Sequence, residues 1–228
     1  LEKEKIYQLK LSGLDSITLS LDSLNQSKIK KINGTKININ LAQTLGNIEK
    51  YFGSVKTNTV VIKDENDNEI KDIVEFMKKY KSEVRFIEYM DVGESNDWNL
   101  NKVIPSNDLI ERLSTEYDLE AQLTEASSTA TKFRISNSKV TLGFISSITK
   151  PFCSQCNRAR LSVDGMIYTC LFANQGFDIK NIIRSDNHEK AFLDHFNKIW
   201  SQRNDQYSQI RFSKKTKLPK VEMSYIGG

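Results

Sequence analysis

The stretch V-K-T-N-T-V-V-I at residues 55–62 decides the fold, together with Ile70, Ile73, Val74 and Met77 and then V-R-F-I-E-Y-M at residues 84–90. Two β-branched runs flank an apolar i, i+3, i+4, i+7 stripe with lysines opposite, the pattern of an amphipathic helix between two strands. Upstream, Ser16-Ile17-Thr18-Leu19-Ser20-Leu21 reads as a further strand bounded by Gly13 and Asp22, with helical patterns over residues 1–12 and 41–52. Strand–helix–strand–helix–strand at this spacing predicts βαβ units and a parallel sheet, an α/β fold. Three parallel strands neither close a barrel nor cover their own edges. The sheet is therefore expected to continue in strands outside this chain.

From residue 91 the pattern changes. A polar connector over residues 91–105 leads to a helical pattern at 107–117. A poorly patterned stretch to Thr131 then precedes two runs, 132–135 and 139–148, that read as antiparallel strands. Residues 157–171 predict a hairpin: N-R-A-R-L-S-V, the turn Asp164-Gly165, then M-I-Y-T-C-L. A two-residue turn there pairs Val163 with Met166 and sets Cys170 beside Ala159. Phe192, Phe196 and Ile199 give the last helical segment an apolar stripe.

Composition narrows the class. The chain has 228 residues, 38% apolar and 27% charged, enough for one large or two small domains with a core. It is not that of a disordered, collagen-like or disulfide-dense protein. A net charge of +4 is too mild to announce a nucleic-acid partner. No run of about 18 apolar residues occurs, so no membrane span is expected. Leu1-Glu2-Lys3-Glu4-Lys5 has no apolar signal core, which leaves a cytoplasmic location as the expectation. There is no initiator methionine, which agrees with a fragment.

The three cysteines, Cys153, Cys156 and Cys170, lie within 18 consecutive residues as C-x2-C-x13-C. An odd count with a C-x-x-C pair argues for metal or redox chemistry rather than structural disulfides. Three thiolates are one short of a closed zinc site, and His188 and His195 are not at finger-like spacing after Cys170. Structural zinc, inert thiols and an iron–sulfur cluster with an open iron all stay open on this count, with thiolate ligation favouring the last. Arg158 and Arg160, at i and i+2, would project from one face of a strand. There two guanidiniums can grip a polyphosphate or carboxylate.

The run P-F-C-S-Q-C-N-R-A-R-L-S-V-D-G-M-I-Y-T-C-L-F at residues 151–172 resembles the C-terminal cluster motif of the radical-SAM GTP 3′,8-cyclases of molybdenum-cofactor biosynthesis. S-L-D-S-L at 20–24, V-R-F-I-E-Y-M-D-V-G at 84–93 and the terminal Gly227-Gly228 extend the resemblance through the chain. It implies the last three βα units of a partial (βα)6 TIM-type barrel over residues 1–104, and an α+β cluster- and GTP-binding region over 105–228. It implies that Cys153, Cys156 and Cys170 hold a [4Fe–4S] cluster whose open iron meets the guanine of GTP. Lys56, Arg158 and Arg160 would bind GTP, Ser20 and Met90 would contact S-adenosylmethionine, and Arg85, Gly227 and Gly228 would serve catalysis. Ser20 and Met90 fall at or near strand ends, where α/β sheets place ligands. Lys56, near a strand start, rests on the resemblance alone.

The implied reaction converts GTP to (8S)-3′,8-cyclo-7,8-dihydroguanosine 5′-triphosphate. A 5′-deoxyadenosyl radical takes hydrogen from the ribose C3′, and the resulting radical attacks C8 of guanine. The product passes to cyclic pyranopterin monophosphate synthase, and a homodimer is a compatible assembly. The C-x3-C-x2-C motif for a second [4Fe–4S] cluster, which cleaves S-adenosylmethionine in such enzymes, has no counterpart before Cys153. The expectation is a chain lacking the N-terminal part of a cyclase and inactive alone. Two competing readings are a zinc-stabilised binding module on a barrel remnant and a radical-SAM enzyme acting on a peptide.

Overall fold

Buried and half-buried residues alternate along Val55–Val61 (β2) and through the first half of Ser82–Glu88 (β3), as a sheet with one core face and one polar face requires. These strands come from a computed structural model that describes residues 2–33, 40–93, 98–153, 156–203, 207–210 and 221–226. The chain divides into two units. One comprises Leu1–Tyr89 and Leu100–Lys150, the other Met90–Asn99 and Pro151–Gly228. Residues 105–150 thus pack within the first unit.

The first unit runs α1 (Lys3–Leu11), β1 (Thr18–Ser20), α2 (Gln26–Asn33), α3 (Leu41–Phe52), β2, α4 (Ile70–Met77), β3, α5 (Ser106–Ser114), β4 (Leu119–Gln122), β5 (Thr131–Ile135) and β6 (Val140–Ile145). One six-stranded sheet has the order β1-β2-β3-β6-β5-β4. β1, β2, β3 and β6 are parallel, while β5 runs antiparallel to both β6 and β4. The expected parallel sheet is present. The expected bare edge beside β3 is not, because β6 pairs with β3 from Ser82↔Val140 to Ile87↔Ile145. The sequence reading paired β6 only with β5. A strand run does not reveal a second neighbour fifty residues upstream.

The core lies against one face of this sheet. The α4 stripe of Ile70, Ile73, Val74 and Met77 packs with Val55, Val84, Phe86, Leu142 and Phe144, all nearly inaccessible. The other face is polar. There Glu83 accepts from Arg85 Nε at 2.6 Å and from Lys132 Nζ at 3.0 Å. Burial pushes the Glu83 carboxyl up, but these two cations outweigh it and hold it below its ordinary value of 4.5.

β3 ends on a buried acid. Glu88 is 1% exposed and accepts five hydrogen bonds. Oε1 receives Ser106 N, Ser106 Oγ and Thr149 Oγ1, and Oε2 receives the backbone N–H groups of Ile148 and Thr149. The end of β3, the start of α5 and the turn after β6 are thereby tied to one side chain.

The second unit contains a three-stranded sheet, β7 (Arg160–Leu161), β8 (Met166–Tyr168) and β9 (Phe177–Asp178), with α6 (Lys180–Ile183), α7 (His188–Ser201) and α8 (Tyr207–Ile210). The expected hairpin forms, with a register one residue from the expected one. Arg160 pairs with Tyr168 and Leu161 with Ile167, and Ser162 N donates to Met166 O. This is not the register that sets Cys170 beside Ala159. The physical reason is the turn: only Gly165 has positive φ, at 80°, so the two-residue type I′ turn is not made. A three-residue loop closes instead. Among the described residues, no helix is long and apolar enough to cross a membrane.

Two outcomes test this frame. Glu88→Ala strips five donors of their acceptor inside the protein, and urea unfolding is expected to show a loss of about 3 kcal/mol or more. Glu83, with its depressed folded value, stabilises fully above its ordinary 4.5 and loses that contribution as pH falls through the folded value. The acid side of the stability–pH curve is therefore expected to flatten in Glu83→Gln.

Candidate functional site

The polar sheet face gathers three of the residues singled out in the sequence. Ser20 ends β1 and pairs with Asn58, which pairs with Arg85, which pairs with Gly143. Lys56 lies two residues before Asn58 and so shares its face. Ser20, Lys56 and Arg85 thus occupy one side of three adjacent parallel strands. Gly143 gives Arg85 its room, since a Cβ there would stand 3.2 Å from Arg85 Cγ. Met90 follows β3 by two residues and belongs with the second unit.

Asn58, which the sequence reading passed over, sits between Ser20 and Arg85 in this row. Its Oδ1 is buried without a hydrogen-bond partner, a costly arrangement for an amide oxygen unless a donor arrives. An amine, amide N–H or hydroxyl of a bound molecule would supply one. Strand alternation was the available signal, because residues 56, 58 and 60 must face one way.

In the second unit all three cysteines are half-buried, and none is in a disulfide. Cys156 N donates to Cys153 O at 3.2 Å. Arg158 lies outside β7. Its guanidinium covers the Phe152 ring at 4.9 Å and donates to Cys156 Sγ at 3.2 Å. Arg160 starts β7 and donates to Ile226 O at 3.5 Å. The strand on which both arginines were expected is thus shorter than the pattern suggested. Cys170 Sγ accepts the Phe172 N–H at 3.5 Å. Among the described residues, no three His, Cys, Asp or Glu side chains stand close enough to hold a metal ion.

Electrostatics favour the thiolate form at Cys156. Burial raises Cys156, but a hydrogen bond to Arg203 and the nearby Arg158 outweigh it, leaving the thiol below its ordinary value of 9.0. The thiolate is the metal-binding form, so the donor chemistry suits a thiophilic centre. Arg203 was invisible to the sequence reading, standing 47 residues from Cys156, whose carbonyl its Nη1 reaches at 2.6 Å. Motif spacing carries no signal for such a contact.

Residues 221–226 dock on the same hairpin. The Tyr225 hydroxyl donates to Asp164 Oδ2 at 2.6 Å, and Ile226 is 1% exposed. Asp164 pushes the Tyr225 phenol up to about 12. Gly227 and Gly228 lie outside the described residues.

Comparison with known proteins agrees along nearly the whole chain. Residues 82–209 match the family model for Molybdenum Cofactor Synthesis C, and residues 1–77 match that of the Radical SAM superfamily. The GTP 3′,8-cyclase of Aquifex aeolicus is 37% identical over 99% of this chain and 68% of the relative. That of Synechococcus is 32% identical over 100% and 70%, and that of Staphylococcus epidermidis 36% over 99% and 67%. Identity at this level across two thirds of each relative, with both family models falling in order, means that the chain belongs to the GTP 3′,8-cyclase family of radical-SAM proteins.

Proposed function

We propose that this chain carries the substrate side of a GTP 3′,8-cyclase, the radical-SAM lyase acting in molybdenum-cofactor biosynthesis. The observation that carries the reading is the pairing of guanidinium with thiol: Arg158 lies 3.2 Å from Cys156 Sγ, with Arg160 two residues on. One short segment therefore offers both soft metal donors and polyphosphate donors.

In this reading Cys153, Cys156 and Cys170 hold a [4Fe–4S] cluster, and Lys56, Arg158 and Arg160 bind GTP. Ser20 and Met90 contact S-adenosylmethionine. The orphaned Asn58 Oδ1 supports a polar ligand on the sheet face, since both GTP and S-adenosylmethionine carry N–H and O–H donors. When bound, the clusters and S-adenosylmethionine supply one-electron reduction and hydrogen abstraction. The chain's own residues bind and orient. The arginine pair neutralises the triphosphate, and Arg85, held by Glu83 and given space by Gly143, presents a fixed cation on the polar face. Gly227 and Gly228 complete the catalytic set. Residues 1–104 supply the last βα units of a partial barrel and residues 105–228 the cluster and substrate region. The next enzyme, a cyclic pyranopterin monophosphate synthase, takes the product.

The test is metal and sulfide content after anaerobic reconstitution, followed by electron paramagnetic resonance of the reduced chain with and without GTP. About four irons per chain and a spectrum changed by GTP are expected. In Arg158→Ala and Arg160→Ala the iron content should hold while GTP is needed at about 10- to 100-fold higher concentration, the loss of one charged hydrogen bond. About one zinc per chain with no response to GTP would overturn the reading in favour of a structural zinc module.

A further inference from the structure

α7 has a job beyond packing. Its aromatic residues form a ladder: Phe192 and Phe196 stack with centroids 5.8 Å apart, and Phe196 and Trp200 at 5.6 Å, with interplanar angles of 19° and 22°. The ladder ends where the helix does. Just beyond, Arg203 N donates to Trp200 O at 3.2 Å, and the Arg203 guanidinium lies over the Trp200 ring, 4.8 Å from its centroid. From there Nη1 reaches the Cys156 carbonyl at 2.6 Å, a short bond for a charged donor.

Each contact constrains a different degree of freedom. The backbone bond fixes where the side chain starts, and the indole face fixes the plane of the guanidinium. The carbonyl bond fixes the backbone of Cys156, whose N–H donates to Cys153 O. Arg203 thus links the end of a 14-residue helix to the backbone of Cys156.

We propose that Arg203 is a positioning residue for the cysteine centre, a clamp seated on Trp200 that sets the orientation of the Cys156 thiolate and so governs how firmly a bound iron centre is retained. This rests on the assignment of the three cysteines to a cluster. Partners behind a metal ligand change metal affinity on the order of 10- to 100-fold when removed. Lysine can donate one bond to the carbonyl but cannot lie flat on the indole, so Arg203→Lys falls between wild type and Arg203→Met, which keeps length but has no donor.

The experiment uses the full chain, reconstituted anaerobically with iron and sulfide. The readout is the rate at which its visible absorbance is lost to an excess of chelator. Circular dichroism confirms that each variant is folded, and Trp200→Leu, which removes the seat and leaves the arginine, is an independent second probe. Loss on the order of 10-fold faster or more is expected in Arg203→Met, with a smaller acceleration in Arg203→Lys and Trp200→Leu. Arg112→Ala, which breaks an exposed ion pair with Asp67 in the first unit, should match wild type. Wild-type retention in folded Arg203→Met and Trp200→Leu would overturn the clamp while leaving the cluster assignment standing. A wild-type chain that takes up no iron would overturn the cluster assignment and the clamp with it.

Discussion

The Glu88 carboxylate has left water, and its charge is balanced by dipoles: three backbone N–H groups and two hydroxyls. Bringing a carboxylate into the interior costs several kcal/mol before such bonds are counted. The geometry that recovers this cost is available only when the end of β3, the start of α5 and the turn after β6 are all in place. The acid therefore acts as a condition on the fold more than as one contact among many. It sets the end of the strand that carries Arg85 three residues earlier, and it holds the turn from which the chain leads to the cysteine motif.

Much of this was readable in the residues. β2, β3 and α4 follow from alternation and from a helical stripe, because each buries one face and the pattern records which. β4 was missed since L-E-A-Q is an edge strand with three of its four residues exposed, so no alternation marks it. The parallel pairing of β6 with β3 was missed for a different reason: local pattern gives a strand but not its neighbour. In the hairpin, Asp-Gly pointed to a turn correctly. The backbone of Asp164 then decided the register, which composition does not encode.

The candidate site divides the same way. The thiols and Arg158 are close in the chain and legible there. The shared face of Ser20, Lys56 and Arg85 needed the strand register, and Arg203 needed the fold. Three arginines in the second unit do three separate things. Arg158 covers a ring and touches sulfur, Arg160 reaches the docked tail, and Arg203 holds a carbonyl. Counting basic residues would have treated them as equivalent.

The hairpin also lies between Cys156 and Cys170 in the chain. Thirteen residues separate them, and these include β7, a loop closed by Gly165, and β8. Because side chains alternate faces at every step, inserting or deleting one residue in β7 or β8 would break the pairing of Arg160 with Tyr168 and turn part of one strand to the other face. Natural variation in this segment should then come as paired changes, one in each strand, or as loop changes that leave both ladders intact. The spacing works as a ruler whose graduations are the rungs of the hairpin.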